Sequence, residues 1–142
     1  MEKNFNLEII SPEGEIFKGT VTELIINTVE GQITVLPSHT PLFTKLVEGE
    51  AIIKKGTEVI FIALTGGFLE IVNNKVSILA DYAIKSEEIT IKSAEEAKKK
   101  AEQILKQKQE GADLISAKTE FRRSLFELKI AEKVRRRSQV NR

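Results

Sequence analysis

The sequence predicts two halves of different class: an N-terminal antiparallel β-sandwich over residues 1–85 and a C-terminal α-helical hairpin over residues 86–142. Three observations predict this. Seven of the eight glycines and all three prolines fall within the first 84 residues. Short β-rich runs alternate there with turn signals at close spacing. From Ser93 to Lys108 there is no glycine, proline or aromatic residue, and apolar side chains recur at helical spacing.

The strands follow in order. Residues 6–10 read as the first, ended by Ser11-Pro12-Glu13-Gly14. Residues 21–29 alternate, with Val21, Glu23, Ile25 and Asn27 on one face and Thr22, Leu24, Ile26 and Thr28 on the other. Glu30-Gly31 turns the chain into residues 32–36. Residues 42–47 and 51–54 come next, split by Glu48-Gly49-Glu50, and residues 57–64, 68–72 and 75–79 complete the set. Asn73-Asn74 suits a tight hairpin turn, because asparagine tolerates positive φ. So many short strands in so few residues call for two packed sheets.

The composition changes at residues 83–86. Ser93-Ala94-Glu95-Glu96 has capping-box spacing, with Ser93 as N-cap and Thr90 as an alternative one turn earlier. Ala94, Ala97, Ala101 and Ile104 form a helical stripe whose small residues let a partner helix come close. Gly111 breaks the pattern, and Asp113 can cap a second helix. Leu114, Ala117, Phe121, Leu125, Leu128 and Ala131 carry its stripe to about Val134. Two helices joined by a few residues form an antiparallel hairpin.

Composition excludes several functions. The chain has no cysteine, so it has neither disulfides nor a thiolate metal site. Glu2, Lys3 and Asn4 follow Met1 without an apolar run, so no signal peptide is expected. The longest apolar runs, such as residues 59–64, fall far short of the roughly 20 residues of a membrane span. The net charge of +1 hides an asymmetry. Residues 1–84 carry 6 Lys+Arg against 11 Asp+Glu, and residues 85–142 carry 16 against 10. The two halves are therefore expected to meet different partners.

Three stretches carry a family resemblance. The most specific is Glu30-Gly31-Gln32-Ile33-Thr34-Val35-Leu36-Pro37-Ser38-His39-Thr40-Pro41-Leu42. The second is Ser11-Pro12-Glu13-Gly14 followed by Phe17-Lys18-Gly19. The third is Gly66-Gly67-Phe68-Leu69-Glu70-Ile71 with Val76-Ser77-Ile78-Leu79-Ala80-Asp81 after it. In this order and spacing the chain resembles the epsilon subunit of bacterial F-type ATP synthases over essentially its whole length. The resemblance implies a non-catalytic rotor subunit at the cytoplasmic face of the cell membrane, held there only through its complex. The sandwich would bind the gamma subunit and the c-ring. The hairpin would be regulatory, rising into the catalytic head of alpha and beta subunits to impede ATP hydrolysis.

Each candidate residue also has a structural reading. His39 is the only histidine and cannot form a metal site alone. It is either a turn-stabilising residue or, with Glu30, Gly31 and Gln32, part of the implied contact with the c-ring and gamma subunit. Gly66-Gly67 lacks a P-loop lysine or a GxGxxG pattern and reads as a bulge or turn. Arg122, Arg123, Lys129 and Lys133 read first as a solvated face. The resemblance raises a contact with the catalytic head, for Arg122 and Arg123 in particular.

No cofactor is expected. ATP-binding relatives carry an Ile/Leu-Asp-x-x-Arg-Ala pattern, where this chain has Ile89-Thr90-Ile91-Lys92-Ser93-Ala94. Arg123 matches one of the two arginines on their second helix, but Glu127 stands where the other would be, and a carboxylate repels phosphate. ATP binding is therefore expected to be weak or absent. The competing reading is a nucleic-acid-binding module with a basic helical arm. The acidic first half, which offers no basic aromatic groove, weighs against it. A small-molecule enzyme would need an acid–base pair, a metal set or an activated nucleophile, and none is marked.

Overall fold

The computed structural model describes residues 2–107 and 111–140. It divides into two compact units, Met1–Lys85 and Ser86–Arg142.

The first unit contains β1 (Phe5–Ser11), β2 (Gly14–Val21), β3 (Glu23–Thr28), β4 (Gly31–Val35), β5 (Leu42–Leu46), β6 (Gly49–Lys55), β7 (Glu58–Leu64), β8 (Gly67–Val72), β9 (Lys75–Ala80) and β10 (Ala83–Lys85). Hydrogen bonding runs continuously in the order β10-β7-β6-β3-β5-β8-β9-β1-β2, with β4 on the other side of β3. The ladder folds over at β3. Its first residues pair with β6, whereas Thr28 at its end pairs with Leu46 of β5. The result is a sandwich close to a barrel, in which β2 at the end of the path packs near β6 and β10. The pairing of β1 with β9 is parallel, and every other pairing among the described strands is antiparallel.

Alternation builds the core. Leu7 and Ile9 of β1, Leu24 and Ile26 of β3, Ile53 of β6, Ile62 and Leu64 of β7, Leu69 and Ile71 of β8, and Val76 and Ile78 of β9 are all buried in one cluster. Burying one such side chain fully stabilises by about 1.5–3 kcal/mol.

Two strands lay outside the sequence reading. β2 is mostly polar and only partly buried, so it lacks an apolar alternation to detect. β10 is three residues long. The expected single strand over residues 21–29 is also broken. Thr22 donates both its N–H (2.8 Å) and its Oγ1 (2.9 Å) to the Lys54 carbonyl, and this kink divides β2 from β3. Val21 is therefore buried instead of sharing the half-buried face of Glu23, Ile25 and Asn27.

Two turns share one construction. In Ser11-Pro12-Glu13-Gly14 the serine Oγ accepts from the Glu13 N–H at 3.2 Å and donates to the Gly14 carbonyl at 3.4 Å. In Thr28-Val29-Glu30-Gly31 the threonine makes the same two bonds, at 3.1 and 2.7 Å. Both glycines have positive φ, 131° and 116°, which the side-chain-free residue takes without steric cost. Gly67 is held to glycine by space as well, since a Cβ there would run into the Leu79 carbonyl. The expected hairpin turn joins β8 to β9 through Asn73 (φ 49°) and Asn74 (φ 62°).

The second unit opens with a 3-10 turn, Ser86–Glu88, followed by α1 (Ile91–Lys106) and α2 (Ala112–Val140). Thr90, not Ser93, is the N-cap of α1. It lies in the extended region, and its side chain accepts from the Ser93 N–H at 3.0 Å. Asp113 lies inside the first turn of α2, where its charge favours the positive end of the helix dipole, while the Gly111 carbonyl accepts from the Ile115 N–H. The two helices pack along each other.

The seam differs from the expected stripes at two positions. In α1, Ala94 and Ala101 are fully buried, but Ala97 is exposed and Lys98 is half-buried in its place. In α2, Leu125 is 42% exposed, and Ser124, buried at 3%, takes its place between Phe121 and Leu128. The Ser124 hydroxyl donates to the Glu120 carbonyl at 2.8 Å, so its burial leaves no unmet donor. In α2 the buried or half-buried positions Ala117, Phe121, Ser124, Leu128 and Ala131 alternate steps of four and three, which keeps one face toward the partner helix. In α1 the expected and observed stripes both alternate and differ only in whether the step after Ala94 is three or four.

Candidate functional site: partner surfaces of the two units

The sandwich carries three outward features. The first is the tip of the β3–β4 turn, where Glu30, Gly31 and Gln32 are all exposed. Gln32 donates from its Nε2 to the Asn27 Oδ1 at 3.4 Å. The Thr28 hydroxyl holds this tip from inside. Main-chain bonds from Val29 to Lys45 and from Val47 to Asn27 join it to β5.

The second feature is the loop between β4 and β5, where His39 is half-buried. Its Nδ1 lies 2.7 Å from the Thr40 carbonyl, the geometry of a hydrogen bond that fixes the ring within the turn. Ser38 beside it has a φ of 64° and donates its N–H to the Asn74 Oδ1 at 2.8 Å. This places His39 at the Leu42 end of the β5–β8 ladder, whereas the Glu30 tip lies at the Leu46 end. Four strand steps of about 3.4 Å separate these ends. The structure therefore does not gather Glu30, Gly31, Gln32 and His39 into one site. They form two separate corners.

The third feature escaped the sequence reading. Phe43 of β5 and Phe68 of β8 point outward, 67% and 45% exposed, and their rings stack with centroids 5.7 Å apart at 15°. They are diagonal neighbours, since Phe43 sits opposite Glu70 and Phe68 opposite Lys45. Leu79, opposite Phe68 on β9, extends the row at 59% exposure. The available signal was the alternation of β8, in which Leu69 and Ile71 face the core and leave Phe68 outside.

On α2, Arg122, Lys129 and Lys133 are exposed and spaced by seven and four residues, which aligns them along one helix face. Arg123 is off that line. It is half-buried, one turn before half-buried Glu127. Phe121 is half-buried and Phe126 is buried at 4%, so neither offers a platform for stacking bases.

None of these surfaces carries a catalytic constellation. Among the described residues no group of three or more His, Asp or Glu side chains is arranged to hold a metal ion. A cleft of about 370 Å³ on the outer face of β1 and β2 is lined by Asn6, Glu8, Lys18, Thr20 and Lys75. It is open, and Lys75 faces Glu8 at 3.8 Å. No described helix is long and apolar enough to cross a membrane.

A family model for the β-sandwich domain of the ATP synthase delta/epsilon chain matches residues 4–86. A second, for the long α-helix domain of the same chain, matches residues 87–132. The chain belongs to the ATP synthase delta/epsilon chain family. It is a non-catalytic epsilon-type subunit, a central-stalk component of an F-type ATP synthase. The ATP synthase epsilon chain of Caldanaerobacter subterraneus subsp. tengcongensis is 39% identical over 134 residues, covering 94% of this chain and 97% of that one. The epsilon chain of Dehalococcoides mccartyi is 40% identical over 136 residues, covering 94% and 96%. Among solved structures, a chain of the Euglena gracilis mitochondrial ATP synthase shares the fold. Its TM-score is 0.66 at 22% identity, over 93% of this chain and 82% of that one.

Proposed function

We propose that this epsilon-type chain docks through its sandwich on the foot of the central stalk, against the gamma subunit and the c-ring, and turns with them to couple ion flow to ATP synthesis. The observation that carries this reading is the stacked, exposed Phe43–Phe68 pair with Leu79 beside it. A contiguous outward apolar row marks an interface, and aromatic side chains dominate interface energetics. The two polar corners, Glu30-Gly31-Gln32 and His39, supply separate contacts to the same rotor partners. The chain sits at the cytoplasmic face of the cell membrane and is peripheral, held by its complex.

The hairpin is the regulatory element. Its seam of Ala94, Ala101, Ala117 and Ala131 buries little area per residue, so a repacking of the hairpin is within reach of a few kcal/mol of differential contact. In the raised state Arg122, Arg123, Lys129 and Lys133 meet an acidic segment of the beta subunits in the catalytic head and restrain hydrolysis. ATP binding by the hairpin is weak or absent, since Glu127 stands where a second arginine would be needed.

The docking reading is tested by purifying the tagged chain from detergent-solubilised native membranes. The parent chain should bring gamma, alpha, beta and c-ring subunits with it. A Phe43→Ser, Phe68→Ser variant should fold but bring down markedly less of them. Equal recovery by the variant would count against the aromatic pair as the docking surface.

A further inference from the structure

Ser38 (φ 64°), Asn73 (φ 49°) and Asn74 (φ 62°) are the non-glycine residues with positive φ among the described residues, and they converge on one corner of the sandwich. The Asn74 side chain joins three segments there. Its Oδ1 accepts from the Ser38 N–H at 2.8 Å, and its Nδ2 donates to the Asn4 carbonyl at 2.8 Å. Its own carbonyl accepts from the Asn6 N–H at 3.3 Å. The β4–β5 loop, the β8–β9 turn and the entry to β1 are thereby tied to one residue.

The turn itself does not need that amide. Glycine at the second central position of such a hairpin takes positive φ without steric cost, and Asn-Gly is a favoured pair. Asparagine there accepts some strain and offsets it with two hydrogen bonds to other segments. Ser38 is in the same left-handed region, which a serine seldom holds unless its surroundings fix it. His39 follows Ser38 directly, so the place of the imidazole depends on a backbone conformation that Asn74 holds.

We infer that Asn74 is a positioning residue for partner docking: through the Ser38 N–H it preforms the loop that presents His39. The inference rests on the reading of His39 as a partner contact. Its physical effect is preorganisation, since a loop already in its docked shape loses less freedom on association.

The test uses the full-length chain and epsilon-depleted ATP synthase from the same source. Asn74→Gly keeps the positive φ and removes the amide. Asn74→Asp keeps the acceptor facing Ser38 and loses the donor to Asn4. Asn74→Gly should weaken binding about fivefold, the net worth of one hydrogen bond. The unfolding midpoint should hardly move, and exchange of the Ser38 amide should accelerate. Asn74→Asp should restore both binding and amide protection. On a His39→Ala background, Asn74→Gly should weaken binding no further.

Parent-like binding by Asn74→Gly, beside weakened binding by His39→Ala, would overturn the positioning role and leave the contact intact. Equal weakening by Asn74→Asp and Asn74→Gly would also overturn it, in favour of a purely structural clamp to Asn4. Unchanged binding by His39→Ala would remove the contact reading, and the positioning role with it.

Discussion

Thr28 closes the β3–β4 turn by donating its hydroxyl to the Gly31 carbonyl at 2.7 Å while accepting from the Glu30 N–H at 3.1 Å. The side chain is buried, at 4% exposure, so water cannot replace either bond. Thr28→Val keeps the shape and loses both bonds. Chemical denaturation should show a loss of about 1–3 kcal/mol for valine and well under that for Thr28→Ser. A valine variant as stable as the parent would mean that the turn is set by Gly31 alone.

Gly67 and Gly56 separate space from backbone conformation. Both have positive φ, 135° and 64°, but only Gly67 faces a backbone carbonyl that a Cβ would strike. Gly56→Ala should cost about 1–2 kcal/mol, the penalty of a left-handed alanine. Gly67→Ala should cost upward of about 3 kcal/mol, because the Leu79 carbonyl belongs to a paired strand and cannot yield. Comparable denaturation midpoints for the two variants would refute this distinction.

The hairpin seam makes a sharper demand than the sequence stripe did. Ala101→Leu places a large side chain at a fully buried position and should lower helical stability by about 1–3 kcal/mol. Ala97→Leu, at an exposed position, should stay within about 0.5 kcal/mol of the parent. Amide hydrogen exchange across α1 reads both. Equal effects would place Ala97 in the seam after all.

Much of the fold is legible in the sequence. The glycine and proline distribution and the two periodicities disclosed the sandwich and the hairpin, and Asn73-Asn74 disclosed its turn. β2 did not show, because a polar strand has no apolar period. The kink at Thr22 did not show either, because it depends on a hydrogen bond to Lys54, distant in sequence. On the helices, the choice between Ala97 and Lys98, or between Leu125 and Ser124, turns on the exact seam angle, which hydrophobicity alone reads wrongly. The sequence motif joined Glu30-Gly31-Gln32 and His39 as neighbours in one stretch. The folded chain sets them at opposite ends of β5. The Phe43–Phe68 pair and the Asn74 clamp are contacts between strands that no local pattern announces.

Nucleotide chemistry offers a separate check. Thr90 is occupied as the cap of α1, and Glu127 stands one turn from Arg123. Calorimetry of ATP with the full-length chain should detect no binding at millimolar concentration or tighter. Binding at or below millimolar concentration would show that the hairpin recognises phosphate by groups other than these.

Restraint of hydrolysis by the hairpin, as proposed, requires the helices beyond Lys85. The most direct measurement is the ATP hydrolysis rate of the purified synthase carrying either the full chain or a chain ending at Lys85. The truncated chain should stay bound through its sandwich, and hydrolysis should rise. An unchanged rate, with the truncated chain still present in the complex, would contradict that restraint.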